Sequence, residues 1–141
     1  GARHTLALAE GGCVYAWGSG TFGALGLGLE VADEQSTPRP IEELHAGITS
    51  IACGFYHSAA VHGDGGGVWT WGWGRHGQLG DGSEGEYRFS PELVDGEAAQ
   101  GILPRRHHTI ACGAHHCIVL THAGEAYVWG DGGAGQLGLA D

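Results

Sequence analysis

Three features of the sequence predict an all-β chain assembled from small antiparallel sheets: an excess of glycine, a unit that recurs along the chain, and short runs with strand periodicity. The 29 glycines among 141 residues are about three times the ordinary usage of roughly 7%. They lack collagen's every-third-residue rhythm, so they punctuate short strands with tight turns. The chain also aligns with itself. Gly1-Ala-Arg-His4 matches Gly54-Phe-Tyr-His57 and Gly113-Ala-His-His116. From those histidines it is 13, 14 and 13 residues to Trp17, Trp71 and Trp129, each followed by glycine, and 8 more to Leu25, Leu79 and Leu137. Ile51-Ala-Cys-Gly54 matches Ile110-Ala-Cys-Gly113. The units are therefore 1–53, 54–112 and the first half of a third, 113–141.

Taken in order, each unit reads as strands. TLALA, SAAVH and CIVLT follow the histidines and end at turns such as Glu10-Gly-Gly12, Gly63-Asp-Gly65 and Ala123-Gly-Glu125. VYAW, VWTW and AYVW come next. Their two-residue period puts Tyr15 with Trp17, Trp69 with Trp71, and Tyr127 with Trp129 on one face. These two strands predict a hairpin. PIEEL or PELV, then ITSIAC or HTIAC, supply a third and fourth strand, so one unit is expected to close one sheet. Helical periodicity is scarce, with IEELHAGI offering about one turn.

A four-stranded unit that cannot cover its own aromatic face is a propeller blade, because radial stacking buries those faces and leaves only short edges. The series G-x-x-H-(S/T), (V/A)-(Y/W)-x-W-G, G-(A/Q)-L-G, P and I-A-C-G resembles the repeat of the regulator of chromosome condensation family and spans essentially the whole chain. The resemblance implies part of a β-propeller of about seven four-stranded antiparallel blades. His4, His57 and His116, the three tryptophans and the three leucines would be structural positions of the repeat. It also implies three functional classes: a non-catalytic protein-interaction scaffold within a larger protein or assembly, a guanine nucleotide exchange factor for a small GTPase such as Ran, and chromatin binding through a basic tail, against which the acidic charge and the lack of such a tail argue. Plant ultraviolet-B photoreceptors of this family use clustered tryptophans, with G-W-R-H-T near Gly1-Ala-Arg-His-Thr5. Here Ala2, Phe55 and Ala114 stand where that tryptophan would be, so photoreception is not expected.

Composition narrows the chemistry. Sixteen acidic against six basic residues give a net charge of -10, and all six basic residues are arginines. A phosphate-tracking surface needs clustered cations, so nucleic acid is not an expected partner. Without lysine there is no P-loop lysine and no Schiff base. Nor does the sequence hold a G-x-S-x-G or H-E-x-x-H motif, so no enzyme activity and no cofactor are expected. The spelling G-x-G-x-x-G occurs at Gly18, Gly20 and Gly23 and recurs at Gly72, Gly74, Gly77 and at Gly130, Gly132, Gly135. Three dinucleotide sites at blade spacing, none followed by an amphipathic helix, make these turn glycines rather than phosphate loops. Cys13, Cys53, Cys112 and Cys117 contain no CxxC pair and read as reduced thiols of an intracellular protein. Cys112-Gly-Ala-His-His-Cys117 is the densest metal-like cluster, but Cys112 and His116 occupy repeat positions and no second Cys/His pair lies at zinc spacing. No metal is therefore expected. No apolar stretch reaches the roughly 18 residues of a membrane span. Because the chain opens on Gly1, it is expected to be a piece of a longer polypeptide.

Binding sits on loops carried by a rigid scaffold, and unit two departs most from the repeat. Arg75-His76, Tyr87-Arg88-Phe89 and the insertion containing Arg105 and Arg106 concentrate arginine and aromatic residues, the types favoured at interface hot spots. Arg75, His76, Tyr87, Arg88, Arg105 and Arg106 are thus the expected partner-binding residues. Trp73, where the other units carry Ser19 and Asp131, is the tryptophan expected to lie exposed.

Overall fold

The computed structural model describes residues 1–31, 33–65, 67–82, 86–94 and 107–139. Among the described residues, ten strands form three antiparallel sheets. The first contains β1 (His4–Leu8), β2 (Val14–Gly18) and β3 (Gln35–Pro40), in that order. The middle sheet is β4 (Ile48–Cys53), β5 (His57–His62), β6 (Gly67–Trp73) and β7 (Tyr87–Leu93). The third is β8 (His107–Cys112), β9 (His116–Thr121) and β10 (Ala126–Gly130), running β10-β9-β8. The expected hairpins are present: His4 faces Gly18, His57 faces Gly72 and His116 faces Gly130.

The expectation that one unit closes one sheet is corrected by the pairing. ITSIAC, at the end of unit one, forms β4 and pairs with β5 of unit two, Cys53 opposite Ser58. HTIAC likewise lies in β8 and pairs with β9, Cys112 opposite Cys117. The sheets thus run one strand out of phase with the sequence repeat. The physical cause is proximity: ITSIAC is separated from the following histidine by one short glycine turn, and a tight turn between two strands makes an antiparallel pair. The third strand also begins earlier than expected. β3 is QSTPRP and β7 is YRFSPEL. Both are sheet edges, where Pro38, Pro40 and Pro91 cost no ladder hydrogen bond on the open side. The IEEL stretch makes a 3-10 turn at Glu42–Leu44.

The middle sheet buries both faces. On one side Ala60, Ile48 and Trp71 join Val14, Ala16, Leu25, Ile41 and Leu44. On the other, Ala59, Val61 and Val68 join Val94, Ile110 and Val119. Alternation along β5 explains the division, since successive side chains point to opposite faces, and the small alanines let sheets approach on both sides. Backbone bonds also link the glycine turns of successive units: Ala2 N–H donates to the Phe55 carbonyl at 3.1 Å, and Phe55 N–H to that of Ala114 at 3.0 Å. No described helix is long and apolar enough to cross a membrane.

Candidate functional site

The repeat positions meet between sheets. His4 Nε2 lies 2.8 Å from Ser58 Oγ, which donates to the Ala24 carbonyl at 2.8 Å. Trp71 Nε1 donates to that same carbonyl at 3.0 Å. One unit later, His57 Nε2 lies 3.2 Å from Cys117 Sγ, which donates to the Gln78 carbonyl at 3.5 Å, and Trp129 Nε1 donates there at 2.9 Å. Each histidine therefore reaches a side chain of the following sheet. Glycine makes the close approach possible. Gly26 and Gly80 adopt φ of +69° and +71°, and a Cβ there would lie 2.6 Å and 2.8 Å from the Trp71 and Trp129 indole nitrogens. Trp71, Leu25, Leu79 and His57 are fully buried, whereas Trp17, Trp129, His116 and Leu137 are half-buried. The first G-x-G-x-x-G copy leads into a 3-10 turn at Thr21–Gly23, and the other two into simple turns.

On the loops beside the first junction, aromatic rings collect. Phe22 stacks on Trp73 at 4.9 Å and on Tyr87 at 5.3 Å between centroids, and meets Tyr56 edge-on at 5.2 Å. Trp73 extends the group edge-on to His76 at 5.2 Å and His115 at 5.7 Å, and Phe55 meets His115 at 5.5 Å. Trp73 is thus half-buried within this cluster rather than exposed, because its face is taken by Phe22. Phe22 itself has φ +59°, a conformation that bulky residues rarely adopt and that its neighbours must enforce. Burial, followed by the adjacent His76, holds His115 below the ordinary histidine range. Phe55 and Tyr87 remain about half exposed, at 52% and 47%.

The expected binding residues divide. His76 and Tyr87 belong to this patch, and Arg75 is exposed beside it. The Arg88 guanidinium is held by three carboxylates: Nη2 to Asp81 and Nη1 to Glu86 at 2.6 Å, and Nε to Glu92 at 2.7 Å. Its charge is already met by these carboxylates. Arg105 and Arg106 lie outside the described residues. Phe22, Tyr56, Phe55 and His115 were not anticipated; Phe22 and His76 share one repeat position, a signal that two units place rings at the same loop tip.

A second constellation lies at the other junction. His57, Cys112 and Cys117 bring one imidazole nitrogen and two sulfurs within 4.8 Å of one another, with the sulfurs 3.3 Å apart. The Cys117 hydrogen bond draws the Cys112 thiol down to about 6, against the effect of burial. The same pairing, together with burial, pushes Cys117 up. Sequence spacing missed the set because its third donor, His57, lies 55 residues before Cys112 in the sequence.

The sequence profile described as the regulator of chromosome condensation (RCC1) repeat matches residues 11–61 and 65–120. The chain is 39% identical over 142 residues to the ultraviolet-B receptor UVR8 of Arabidopsis thaliana, covering all of this chain and 30% of that protein. Among solved structures, human WBSCR16 superposes with a TM-score of 0.77 at 28% identity, over 91% of this chain and 31% of that one. Prp20p of Saccharomyces cerevisiae, described with its binding to Gsp1p and histones, gives 0.68 at 29% identity, over 91% and 28%. The chain thus spans about a third or less of the length of each, and its sheets are those of an RCC1-type β-propeller.

Proposed function

Because the chain belongs to the RCC1 repeat family, we propose that it is a non-catalytic protein-interaction scaffold whose capture surface is the loop patch of Phe22, Tyr56, Trp73, Tyr87, His76 and His115. The observation that carries this reading is the strained Phe22, held at positive φ with its ring between two others. Backbone strain persists only where the surroundings enforce it and concentrates at functional sites. The partner is a protein segment rich in arginine or lysine. A chain of net charge -10 attracts such a segment by its field, and exposed ring faces hold guanidinium groups.

The test is calorimetric titration of the whole chain with an arginine-rich peptide, an acidic peptide and a scrambled control of matched length. Saturable binding of the basic peptide, weakened about tenfold or more by Phe22→Ala with Tyr87→Ala, supports the reading; equal binding by that double variant ends it.

Similarity to Prp20p, described with its binding to Gsp1p, favours a second reading: guanine nucleotide exchange on a small GTPase. Accelerated release of labelled GDP from a panel including Ran would support it, and unchanged release across the panel would remove it.

A further inference from the structure

At the junction of the middle and third sheets, His57 of β5 meets Cys112 of β8 and Cys117 of β9, with their donor atoms within 4.8 Å of one another. We propose that these three side chains bind a zinc ion that staples the two sheets together. Two thiolates and an imidazole form a recognised three-residue zinc set, with water filling the fourth position of the tetrahedron. Bond lengths of about 2.3 Å to sulfur and 2.0–2.1 Å to nitrogen place tetrahedral donors roughly 3.5 to 3.8 Å apart. The sulfurs at 3.3 Å and the Cys117 sulfur–His57 nitrogen pair at 3.2 Å therefore open by only a few tenths of an ångström to admit the ion, with the Cys112 sulfur and the His57 nitrogen within 4.8 Å of each other. Cys117 and His57 are fully buried while Cys112 is half-buried, so the solvent side of Cys112 supplies both the entry path and the water.

Charge selects the ion. On binding, the two thiol protons pass to solvent, and the two buried thiolates left behind require a dication to be neutral. The chain has no lysine to supply that charge, and Arg88 is held by its own carboxylates. A monovalent thiophilic ion would leave one net negative charge in the pocket. Metal binding ends the weak donation from Cys117 to the Gln78 carbonyl, but Trp129 continues to satisfy that oxygen at 2.9 Å.

The first junction explains why only one ion is expected. There the residue opposite Cys53 is Ser58 rather than cysteine, and a neutral hydroxyl is not a zinc donor of this kind. Cys117→Ser therefore rebuilds an arrangement that the chain already folds at its other junction, which makes it a variant expected to fold. The test titrates the reduced chain anaerobically with Co(II), then with Zn(II). One equivalent of Co(II) with sulfur-to-metal charge transfer and tetrahedral d–d bands, displaced by Zn(II) and accompanied by a rise in Tm, is the expected result. Cys117→Ser and Cys112→Ser, each confirmed folded by circular dichroism, lose both the bands and the rise. Absence of uptake by the unmodified chain, or uptake undiminished in Cys117→Ser, overturns the proposal.

Discussion

The two junctions between sheets use one geometry with different chemistry. At the first, histidine meets a serine oxygen at 2.8 Å; at the second it meets a cysteine sulfur at 3.2 Å. In both, the next tryptophan donates to the loop carbonyl that precedes the repeat leucine. The conserved geometry shows that the repeat specifies positions and directions, while the atom at the centre is free to change. Oxygen gives the shorter bond and a stronger donor, and sulfur gives a softer group that ionises more readily.

The largest effect expected from breaking this arrangement comes from its tryptophans. Trp71→Ala removes a fully buried indole and is expected to cost about 3–5 kcal/mol, whereas Trp129→Ala, at a half-buried site, costs about half as much. Denaturant melts of the two variants measure the asymmetry. Acid comes next. Burial first, with the neighbouring His57 adding to it, draws His4 down to about 4 from 6.5. The unfolded chain binds that proton at higher pH than the folded one, so stability is full above about 6.5, falls as pH drops toward 4, and levels off below. The loss is about 3 kcal/mol, read from denaturant midpoints across that window, and His4→Gln flattens the slope.

Gly26→Ala and Gly80→Ala test the close approach to the indoles. Both combine positive φ with a crowded Cβ, and each is expected to cost about 2 kcal/mol, with the greater cost at Gly26 because the fully buried Trp71 has less room to yield. The smallest effects separate the junction atoms themselves. Ser58→Ala leaves His4 Nε2 without its partner and costs about 1–2 kcal/mol. Cys117→Ser keeps a hydrogen-bonding group in place and, in metal-free protein, changes stability by less than about 1 kcal/mol. Thermal melts of the four variants side by side rank them.

Much of this was legible in the residues. The hairpins, the buried Trp71 and the turn role of the glycine triplets follow from spacing and periodicity alone. The phase of the sheets was not, because a repeat has no natural starting point in sequence; only the short glycine turn after Cys53 indicates that ITSIAC pairs forward. The patch was half legible. His76 and Tyr87 were marked by composition, but Phe22 lies in another unit, more than 50 residues before Trp73. Arg88 looked available because sequence shows its charge and not the three carboxylates that surround it. The repeat marks His57 as a structural position, and its approach to the two cysteines depends on how sheets stack, which no local pattern encodes.

The offset between repeat and sheet also bears on how such chains grow and shorten. Deleting or duplicating one whole repeat exchanges equivalent strands between neighbours and leaves every remaining sheet with its full set, so the architecture tolerates changes in copy number. A cut placed at a repeat boundary does the opposite: it strands the last strand of one copy away from the hairpin it was made to complete, so a natural breakpoint for dissecting this protein lies in the loop before Ile48.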